Sequence, residues 1–163
     1  MTTYAERPWH KSYDNNVPKS LEPYPDISVQ SFLQDAVQKS PQAKALISSA
    51  HVPIFGRQVS SLTYQELDIQ SDALASALID MGLKKGDRVA IVMPNIAAFV
   101  ISYYGILKAG GVVAATNPTY PADKMQFQIN DCDANIVICM SLFYNLIKQI
   151  QPKTKVKTVI VTN

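Results

Sequence analysis

The residues best placed to form a site are small polar ones that follow four apolar segments of the chain. They are Asn95 after Met93-Pro94, Asn117 within Thr116-Asn117-Pro118, Ser141 after Met140, and the pair Thr162-Asn163. Amides and hydroxyls can hydrogen-bond a ligand, but without an activating partner they are neither bases nor nucleophiles. We interpret Asn95 and Ser141 as helix N-caps and Asn117-Pro118 as a turn after a strand. We therefore predict no catalytic, cofactor-binding or metal-binding residue in this chain.

Two cysteines and two histidines are the other residues that could ligate a metal or act as nucleophiles. Cys132 and Cys139 are too few for a disulfide framework, and their spacing is not a zinc pattern. His10 and His51 lie far apart, and neither adjoins a carboxylate cluster. The phosphate-binding patterns GxGxxG and GxxxxGK[ST] are also missing, and we interpret the charged segment 84–87 as a solvated turn.

Composition places the chain among folded proteins. Its 163 residues weigh 18.0 kDa, with 47% hydrophobic residues, 17% charged residues and a net charge of +2. That length suits one domain with a substantial core, and the hydrophobic fraction excludes disorder for most of the chain. The small net charge gives no reason to expect a nucleic-acid partner. The N-terminal region holds no apolar run and no segment approaches a membrane span, so we expect a cytoplasmic protein.

Four short apolar segments predict the strands of a sheet. They are Val89–Met93, Val112–Ala115, Ile136–Cys139 and Thr158–Val161. Each intervening segment is long enough for a right-handed helical crossover. The pattern βαβαβαβ therefore predicts an α/β fold, with a parallel sheet and helices on both of its faces. In such sheets ligands bind beyond the carboxyl ends of the strands, where the polar turns lie.

Apolar spacing predicts the helices between these strands. The first has Asn95 as its cap and is apolar on most sides, so we expect it to be deeply buried. Within it, Gly105 indicates close packing against a neighbour or room for a ligand, and Gly110-Gly111 predict its C-cap. The second begins near Pro121 with Met125, Ile129 and Cys132 inward, and the third begins at Ser141 with Phe143, Leu146, Ile147 and Ile150 inward.

The first part of the chain has a different character. Residues 1–26 interleave Pro8, Pro18, Pro23 and Pro25 with Tyr4, Trp9, Tyr13 and Tyr24. We expect an extended arm, because prolines oppose regular helix. It would pack on its own domain or on a partner subunit, or else be a partly disordered terminus. We assign residues 27–163 to the α/β subdomain.

A helix, a hairpin and a second helix connect the arm to the sheet. The first helix has Ser28 as its cap, repeats Val29, Phe32, Leu33, Ala36 and Val37 at helical spacing and ends before Pro41. Strands Ala45–Ser49 and Val59–Thr63 flank a loop with Pro53 and Gly56, which predicts a hairpin. Thr63 and Glu66 form a capping box for the second helix. Its buried stripe is predicted as Leu67, Leu74, Leu78 and Met81, and Gly82 ends it.

Several blocks in a characteristic order resemble the acyl-adenylate-forming enzymes of the AMP-binding superfamily. The blocks are Leu62-Thr63-Tyr64-Gln65-Glu66-Leu67, residues 82–91 with Met93-Pro94-Asn95, residues 107–113, Asn117-Pro118-Thr119-Tyr120, and Asn130-Asp131 with Ala134. The arm motifs Pro8-Trp9, Lys11-Ser12-Tyr13 and Val17-Pro18 are similar to those of long-chain fatty acyl-CoA ligases. Lys124 departs from that pattern, which usually has a glutamate opening the helix; Asp123 lies beside it.

The resemblance implies a two-step reaction. ATP would convert a fatty acid into an acyl-adenylate with release of pyrophosphate, and the thiol of coenzyme A would then displace AMP. Mg²⁺ and a Gly/Ser/Thr-rich loop would hold the phosphates. That loop, the later nucleotide-binding motifs and the C-terminal domain of the family are missing from this sequence. We therefore expect the N-terminal piece of a longer ligase, inactive by itself and without bound ATP, coenzyme A or Mg²⁺.

Other interpretations remain open on the residues alone. The parent could activate another carboxylic acid of the superfamily, or the chain could be a stand-alone flavodoxin-like binding module, since fold does not imply function. The resemblance also raises two contacts of the parent: a homodimer through the N-terminal arm, and a peripheral contact with the membrane from which a fatty acid substrate would come.

Overall fold

The computed structural model describes residues 6–52, 54 and 56–163, without the side chains of residues 50–52. Tyr4 in the arm, the side chain of His51 and Pro53 in the hairpin loop therefore lie outside the described residues. The helices are α1 Val29–Lys39, α2 Tyr64–Asp80, α3 Ala97–Lys108, α4 Ala122–Asp131 and α5 Tyr144–Ile150. The strands are β1 Lys44–Val52, β2 Gly56–Thr63, β3 Arg88–Val92, β4 Val112–Ala115, β5 Ile136–Met140 and β6 Thr158–Thr162.

The last four strands form one parallel sheet in the order β4-β3-β5-β6, as the sequence predicts. Ile91 of β3 is level with Ala115 of β4 on one side and with Ile138 of β5 on the other. The central strands β3 and β5 are almost wholly buried, whereas the edge strands β4 and β6 are partly exposed. The level register brings the carboxyl ends of the strands to one edge of the sheet.

Helices cover both faces of this sheet, which confirms the predicted α/β architecture. Neighbouring residues of a strand point to opposite faces. Val89 and Ile91 of β3 therefore pack with α2 and α3, while Ala90 and Val92 pack with α4 and α5. The buried helical residues in these two layers are Leu78 and Ile106 on one side, and Met125, Ile129, Ile147 and Ile150 on the other.

Strands β1 and β2 form a separate antiparallel hairpin that is longer than predicted and pairs Ile47 with Ser61. Helix α2 begins where this hairpin ends. Thr63 Oγ1 accepts a hydrogen bond from Glu66 N at 3.1 Å, and Glu66 Oε2 accepts one from Thr63 N at 2.8 Å. The predicted capping box is confirmed. The hydrogen bonds that Thr63 N and, at 3.0 Å, Thr63 Oγ1 donate to Glu66 Oε2 hold the pKa of the Glu66 carboxyl below its ordinary value.

The ends of α1 and α2 correct two details of the sequence analysis. Met81, predicted to be buried, is 52% exposed because α2 ends there. The chain then turns through Gly82 at φ 92°, as predicted. Ser28 precedes α1 but makes no capping hydrogen bond to the helix backbone. Its hydroxyl lies 2.9 Å from that of Ser31 instead.

Helix α3 is less deeply buried than its apolar sequence predicts. Its buried residues are Ser102, Gly105 and Ile106, and the rest of the helix is partly exposed. The reason is that only one side of α3 touches α2 and the sheet. Gly105 marks that contact, since a Cβ there would lie 2.9 Å from Leu74 Cδ2. The close-packing interpretation of Gly105 is therefore confirmed.

The described part of the arm lies on the surface. Its 3₁₀ helix, Pro8–Ser12, has proline at the first position, where a missing N–H is tolerated. From residue 6 to residue 26, every residue except His10 is exposed. The rings of Trp9 and Tyr13 instead contact the ring of His10, with centroid distances of 6.0 and 5.3 Å. None of the described helices of the protein has the length and apolar character needed to cross a bilayer.

Candidate functional site

An open cleft lies beyond the carboxyl ends of β3 and β4. Thr116 N donates to Ile91 O at 2.9 Å, which continues the pairing of the two strands past the end of β4. The cleft has a volume of about 410 Å³ and is lined by residues 93–95, Phe99 and residues 115–118. Two of the polar turns that the sequence singles out therefore meet in one cleft.

The connections after β3 and β5 leave the sheet on opposite faces. The chain passes from β3 to α3 on one face of the sheet and from β5 to α5 on the opposite face. Open parallel sheets bind ligands beyond the strand ends at such a reversal. Met93, directly after β3, is buried, and Met140, at the end of β5, packs in the same core cluster. The turn after β3 thus borders the cleft and lies beside the end of β5.

The side chain of Asn117 is used to build its own turn, which confirms the predicted role. Its Oδ1 accepts hydrogen bonds from Thr119 N at 3.0 Å and from Thr119 Oγ1 at 2.9 Å. Tyr120 N donates to Asn117 O at 3.2 Å and closes the turn. Lys124 Nζ lies 4.8 Å from the centre of the Tyr120 ring. Where the family usually has an acid, this lysine therefore holds the turn through a cation–π contact.

The predicted cap of α3 is wrong. Helix α3 begins at Ala97, and the preceding residue is Ile96, which has no capping side chain. A tight turn in which Ile96 N donates to Pro94 O at 2.9 Å delays the start of the helix. Asn95 is therefore exposed on the rim of the cleft without a capping bond.

The predicted cap of the last helix is wrong for a similar reason. Ser141 begins a 3₁₀ turn, Ser141–Phe143, and α5 starts only at Tyr144. The residue before α5 is Phe143, in helical conformation and without a capping hydrogen bond. Ser141 is exposed, so its hydroxyl lies at the surface directly after β5 rather than inside a helix cap.

The opposite, amino edge of the sheet holds the glycine-rich block that follows α3. Gly111 N donates to Ile106 O at 2.8 Å, and Gly110 has a φ of 80°. This arrangement is a Schellman motif, which confirms the predicted C-cap. Gly110 O also accepts from Gly86 N at 2.9 Å, so the block is joined to the turn 84–87, whose first three residues are exposed. These residues carry the family resemblance, but their role here is structural.

Lys108, the last residue of α3, connects that helix to α2. Its Nζ lies 2.6 Å from Asp68 Oδ1 and 2.7 Å from Asp72 Oδ1, and its side chain is only 9% exposed. A partly buried cation with two carboxylate partners fixes the spacing of the helices more firmly than a surface pair would. Lys108, which is part of the block that carries the family resemblance, therefore also contributes to the scaffold.

Asp133 is a feature of the amino edge that the sequence analysis missed. It follows α4 with a φ of 58°, where glycine is usual. Its carboxylate lies 2.5 Å from Lys155 Nζ and 2.9 Å from Arg88 Nη2. The hydrogen bond from Lys155 holds the pKa of Asp133 below its ordinary value. An aspartate directly after a helix was the available signal, since aspartate tolerates positive φ better than most residues.

The cleft can shape a ligand and hydrogen-bond it, but its lining has no side chain that transfers protons or binds phosphate. In the described part of the chain, no group of three or more His, Cys, Asp or Glu could hold a metal. Burial raises the pKa of the Cys139 thiol, so it stays protonated and unreactive. That this chain contributes no catalytic, cofactor-binding or metal-binding residue stays a prediction.

Comparison with known proteins identifies the family. The "AMP-binding enzyme" family profile matches residues 33–163. The long-chain-fatty-acid–CoA ligase of Bacillus subtilis (strain 168) is 35% identical over 150 residues, which are 92% of this chain and 25% of that protein. A plipastatin synthase polypeptide of the same organism is 34% identical over 111 residues, which are 68% of this chain and 3% of that protein.

The fold is also found in a solved structure. The crystal structure of a long-chain-fatty-acid-CoA ligase from Archaeoglobus fulgidus matches with a TM-score of 0.75 and 25% identity, over 85% of this chain and 28% of that one. The chain spans about a quarter of the length of the curated ligases that it matches. With the family profile covering most of the sequence and the α/β fold in agreement, the chain belongs to the AMP-binding enzyme family.

Proposed function

We propose that the intact protein containing this chain is a long-chain fatty acid–CoA ligase. The observation that carries the proposal is the 35% identity to the Bacillus subtilis ligase over 92% of the chain. The intact protein activates a fatty acid with ATP and transfers the acyl group to coenzyme A. Residues 1–26 serve as its arm, and residues 27–163 as the N-terminal α/β subdomain of its adenylate-forming domain.

The residues present here do not by themselves fit ATP, coenzyme A or Mg²⁺. Phosphates are bound by Lys, Arg or clustered backbone N–H groups, and Mg²⁺ by carboxylates. The cleft lining has no charged side chain. We therefore place those sites outside residues 1–163 and derive no reaction step from the cleft. The 163-residue chain alone is inactive under this proposal.

Under this proposal, the chain contributes the carboxyl edge of its sheet as one wall of the active site, and the rest of the intact protein supplies the other walls. The level strand ends hold the turns after β3 and β4 side by side. The Asx turn at Asn117 and the cation–π contact of Lys124 hold one of these turns in place. Neutral hydrogen-bonding groups on a preformed wall orient a substrate without moving its protons.

The test is a substrate profile of the intact protein. ATP–pyrophosphate exchange and thioester formation are measured with short, medium and long fatty acids, an aryl acid and amino acids. We expect the highest kcat/KM with long-chain fatty acids and no exchange with the 163-residue chain. Exchange only with amino acids would replace this proposal by the second candidate, an amino acid-adenylating enzyme, which the 34% identity to plipastatin synthase favours. Absence of exchange with every acid would overturn both.

We also propose that the arm is a homodimer contact. Its exposed residues include Trp9, Tyr13, Leu21 and Tyr24, which are 37%, 41%, 73% and 67% exposed. Aromatic residues are enriched in protein interfaces. Deletion of residues 1–26 is expected to halve the mass of the intact protein in solution. An unchanged mass contradicts the proposal.

We also propose that the intact protein is cytoplasmic and makes a peripheral contact with the membrane. The described arm has three Lys/Arg and four Asp/Glu residues between positions 6 and 26, which gives it no attraction to anionic lipid. Binding to the membrane would therefore depend on the fatty acid substrate in it, and not on electrostatic attraction between the arm and the lipid. Sedimentation with neutral and with anionic vesicles, each with and without fatty acid, measures it. Binding that ignores the fatty acid but needs anionic lipid contradicts this assignment.

A further inference from the structure

One face of the β1–β2 hairpin packs on the protein, and the other faces away from it. Residues directly opposite each other in an antiparallel pair share a face, as do alternate residues of one strand. Leu46 and Leu62 are such a pair, and they line a cavity of about 200 Å³ together with Ile101 of α3. The register therefore places four exposed residues on the opposite side of the hairpin, which we call the outer face: Ile47, Ser49, Arg57 and Val59.

The outer face combines apolar side chains with a cation. Ile47 is 67% exposed and Val59 is 59% exposed. The guanidinium of Arg57 lies on the same face, because its Nε donates a hydrogen bond to Ser49 Oγ at 2.8 Å. Ser49 is directly opposite Val59 in the register. Arg57 is therefore held beside the apolar residues rather than turned away from them.

Ile54, in the connection between the two strands, is the most exposed apolar residue of the hairpin. Its side chain is 100% exposed, and its φ is 75°. A β-branched residue is strained in this left-handed conformation, where local folding favours glycine or asparagine. Strain of this kind is typical of positions that serve binding rather than folding. Ile54 therefore extends the apolar surface to the tip of the hairpin.

The charge of the segment that contains the hairpin indicates the chemistry of its partner. From residue 36 to residue 65 the sequence has no Asp or Glu, whereas Lys39, Lys44 and Arg57 are present and exposed. In the part of the chain that the structure describes, none of these three cations forms an ion pair. Cations without neighbouring carboxylates attract an anionic partner.

We propose that the outer face and Ile54 bind a membrane surface that contains ionised fatty acid. Ile47, Ile54 and Val59 contact the acyl chains, and Arg57 binds carboxylates at the surface. A bilayer interface accepts both kinds of side chain at once, because a long cationic side chain keeps its charge in the aqueous layer while its stem lies among apolar groups.

Fatty acid is the anion that best matches this surface, because each molecule brings an acyl chain and a carboxylate to the same place. The N-terminal arm does not provide the same combination, since its four Asp/Glu residues outnumber its three Lys/Arg residues between positions 6 and 26. The inference rests on the membrane contact proposed above and identifies the element that makes it. It does not require ligase activity.

The test is sedimentation of the intact protein with protein-free phosphatidylcholine vesicles, with and without palmitate, at about pH 8, above the ordinary range of carboxyl titration. We expect binding that requires palmitate. Ile54→Asn should weaken it about tenfold, since an apolar side chain is lost from the acyl layer. The variant should keep its thermal stability, because asparagine tolerates positive φ. Arg57→Gln should weaken binding about fivefold, as expected for one cation at an anionic surface.

Two matched control variants lie beyond the opposite face of the sheet. Phe127 on α4 is 70% exposed, and Lys148 on α5 is exposed as well. Phe127→Gln and Lys148→Gln should bind palmitate vesicles as the wild type does. If the control variants lose as much binding as the hairpin variants, the hairpin is not the specific contact and the inference is wrong.

The other outcomes separate this inference from the proposals on which it depends. Palmitate-dependent binding that both hairpin variants retain would overturn the hairpin assignment and leave the membrane contact to another surface. Equally strong binding to anionic phospholipid without palmitate would replace fatty acid by a phospholipid headgroup. Binding to native membranes but not to protein-free vesicles would identify a protein partner instead. No binding to any membrane would overturn the contact and the inference together, while the substrate profile tests the ligase activity independently.

Discussion

The two edges of the parallel sheet differ in what their side chains do. At the amino edge, Gly110 joins a helix to a turn, and Asp133 bridges Arg88 and Lys155. At the carboxyl edge, the lining of the cleft is uncharged and Asn117 bonds within its own turn. One edge is held together by specific polar contacts, and the other presents open space.

This difference explains what the family resemblance does and does not reveal. Much of the recognisable sequence, including Lys108 and the glycines beside it, builds the amino edge and the α2–α3 contact. Such positions have to satisfy backbone conformation and packing whatever the substrate is. A chain can therefore be assigned to its family from residues whose contacts here are those of the scaffold.

The largest loss of stability is expected at the amino edge, from backbone strain at Gly110. Replacement by valine places a β-branched residue at a φ of 80° and should lower the free energy of unfolding. We expect a loss of about 2 kcal/mol, typical of a non-glycine residue held in left-handed conformation. Urea denaturation measures it. Gly110→Asn is the matched control and should recover most of the loss, because asparagine tolerates this conformation. Equal losses in the two variants would contradict the backbone explanation.

A smaller effect is expected from Asp133, and it should depend on pH. The lowered pKa means that the ionised carboxylate stabilises the fold above its ordinary pKa of 3.8, and that this stability is lost as the pH falls through the lowered folded value. Asp133→Asn, which keeps tolerance of positive φ, should therefore be less stable than the wild type near neutral pH. Its stability should also decline less steeply in acid.

The stabilising effect of Asp133 should also depend on salt concentration. The pairs with Arg88 and Lys155 are partly exposed, so added salt should shrink the difference between Asp133→Asn and the wild type. Thermal unfolding between about pH 2 and pH 7, at low and high salt, measures both effects. This range covers the pH values over which carboxyl groups ordinarily titrate. Parallel curves for the two proteins would show that these ion pairs contribute nothing to stability.

The smallest effect is expected at the carboxyl edge, at Asn95. An asparagine that caps a helix contributes about 1 kcal/mol relative to alanine. Because α3 begins after Ile96 and Asn95 makes no capping bond, Asn95→Ala should change the free energy of unfolding by less than about 0.5 kcal/mol. Chemical denaturation checks this. A loss of about 1 kcal/mol in the free energy of unfolding would indicate that Asn95 does cap α3, contrary to the structure.

Local patterns predicted those parts of the fold that local physics controls. The capping box at Thr63 and the glycine C-caps at Gly82 and Gly110 depend on a few neighbouring residues, so their identities were sufficient. The strands of the parallel sheet were predictable because buried strands require continuous apolar runs. The family could also be recognised, since those same residues form its blocks.

The starts of α3 and α5 depended on the tertiary structure. The backbone turn after Pro94 and the 3₁₀ turn from Ser141 move each helix start past its predicted cap. Both turns follow strands whose positions are set by their neighbours in the sheet. A side chain with good capping chemistry therefore cannot by itself decide where a helix begins.

By itself, the sequence determined the order of the elements, because periodicity and short-range hydrogen bonding specify it, and its characteristic blocks identified the family by resemblance. Only the tertiary structure decided that the turns after β3 and β4 share a cleft, that Arg88 and Asp133 meet across 45 positions of the chain, and that one side of α3 is left uncovered. Contacts between distant residues require the strand order, and that order results from how all the layers pack together.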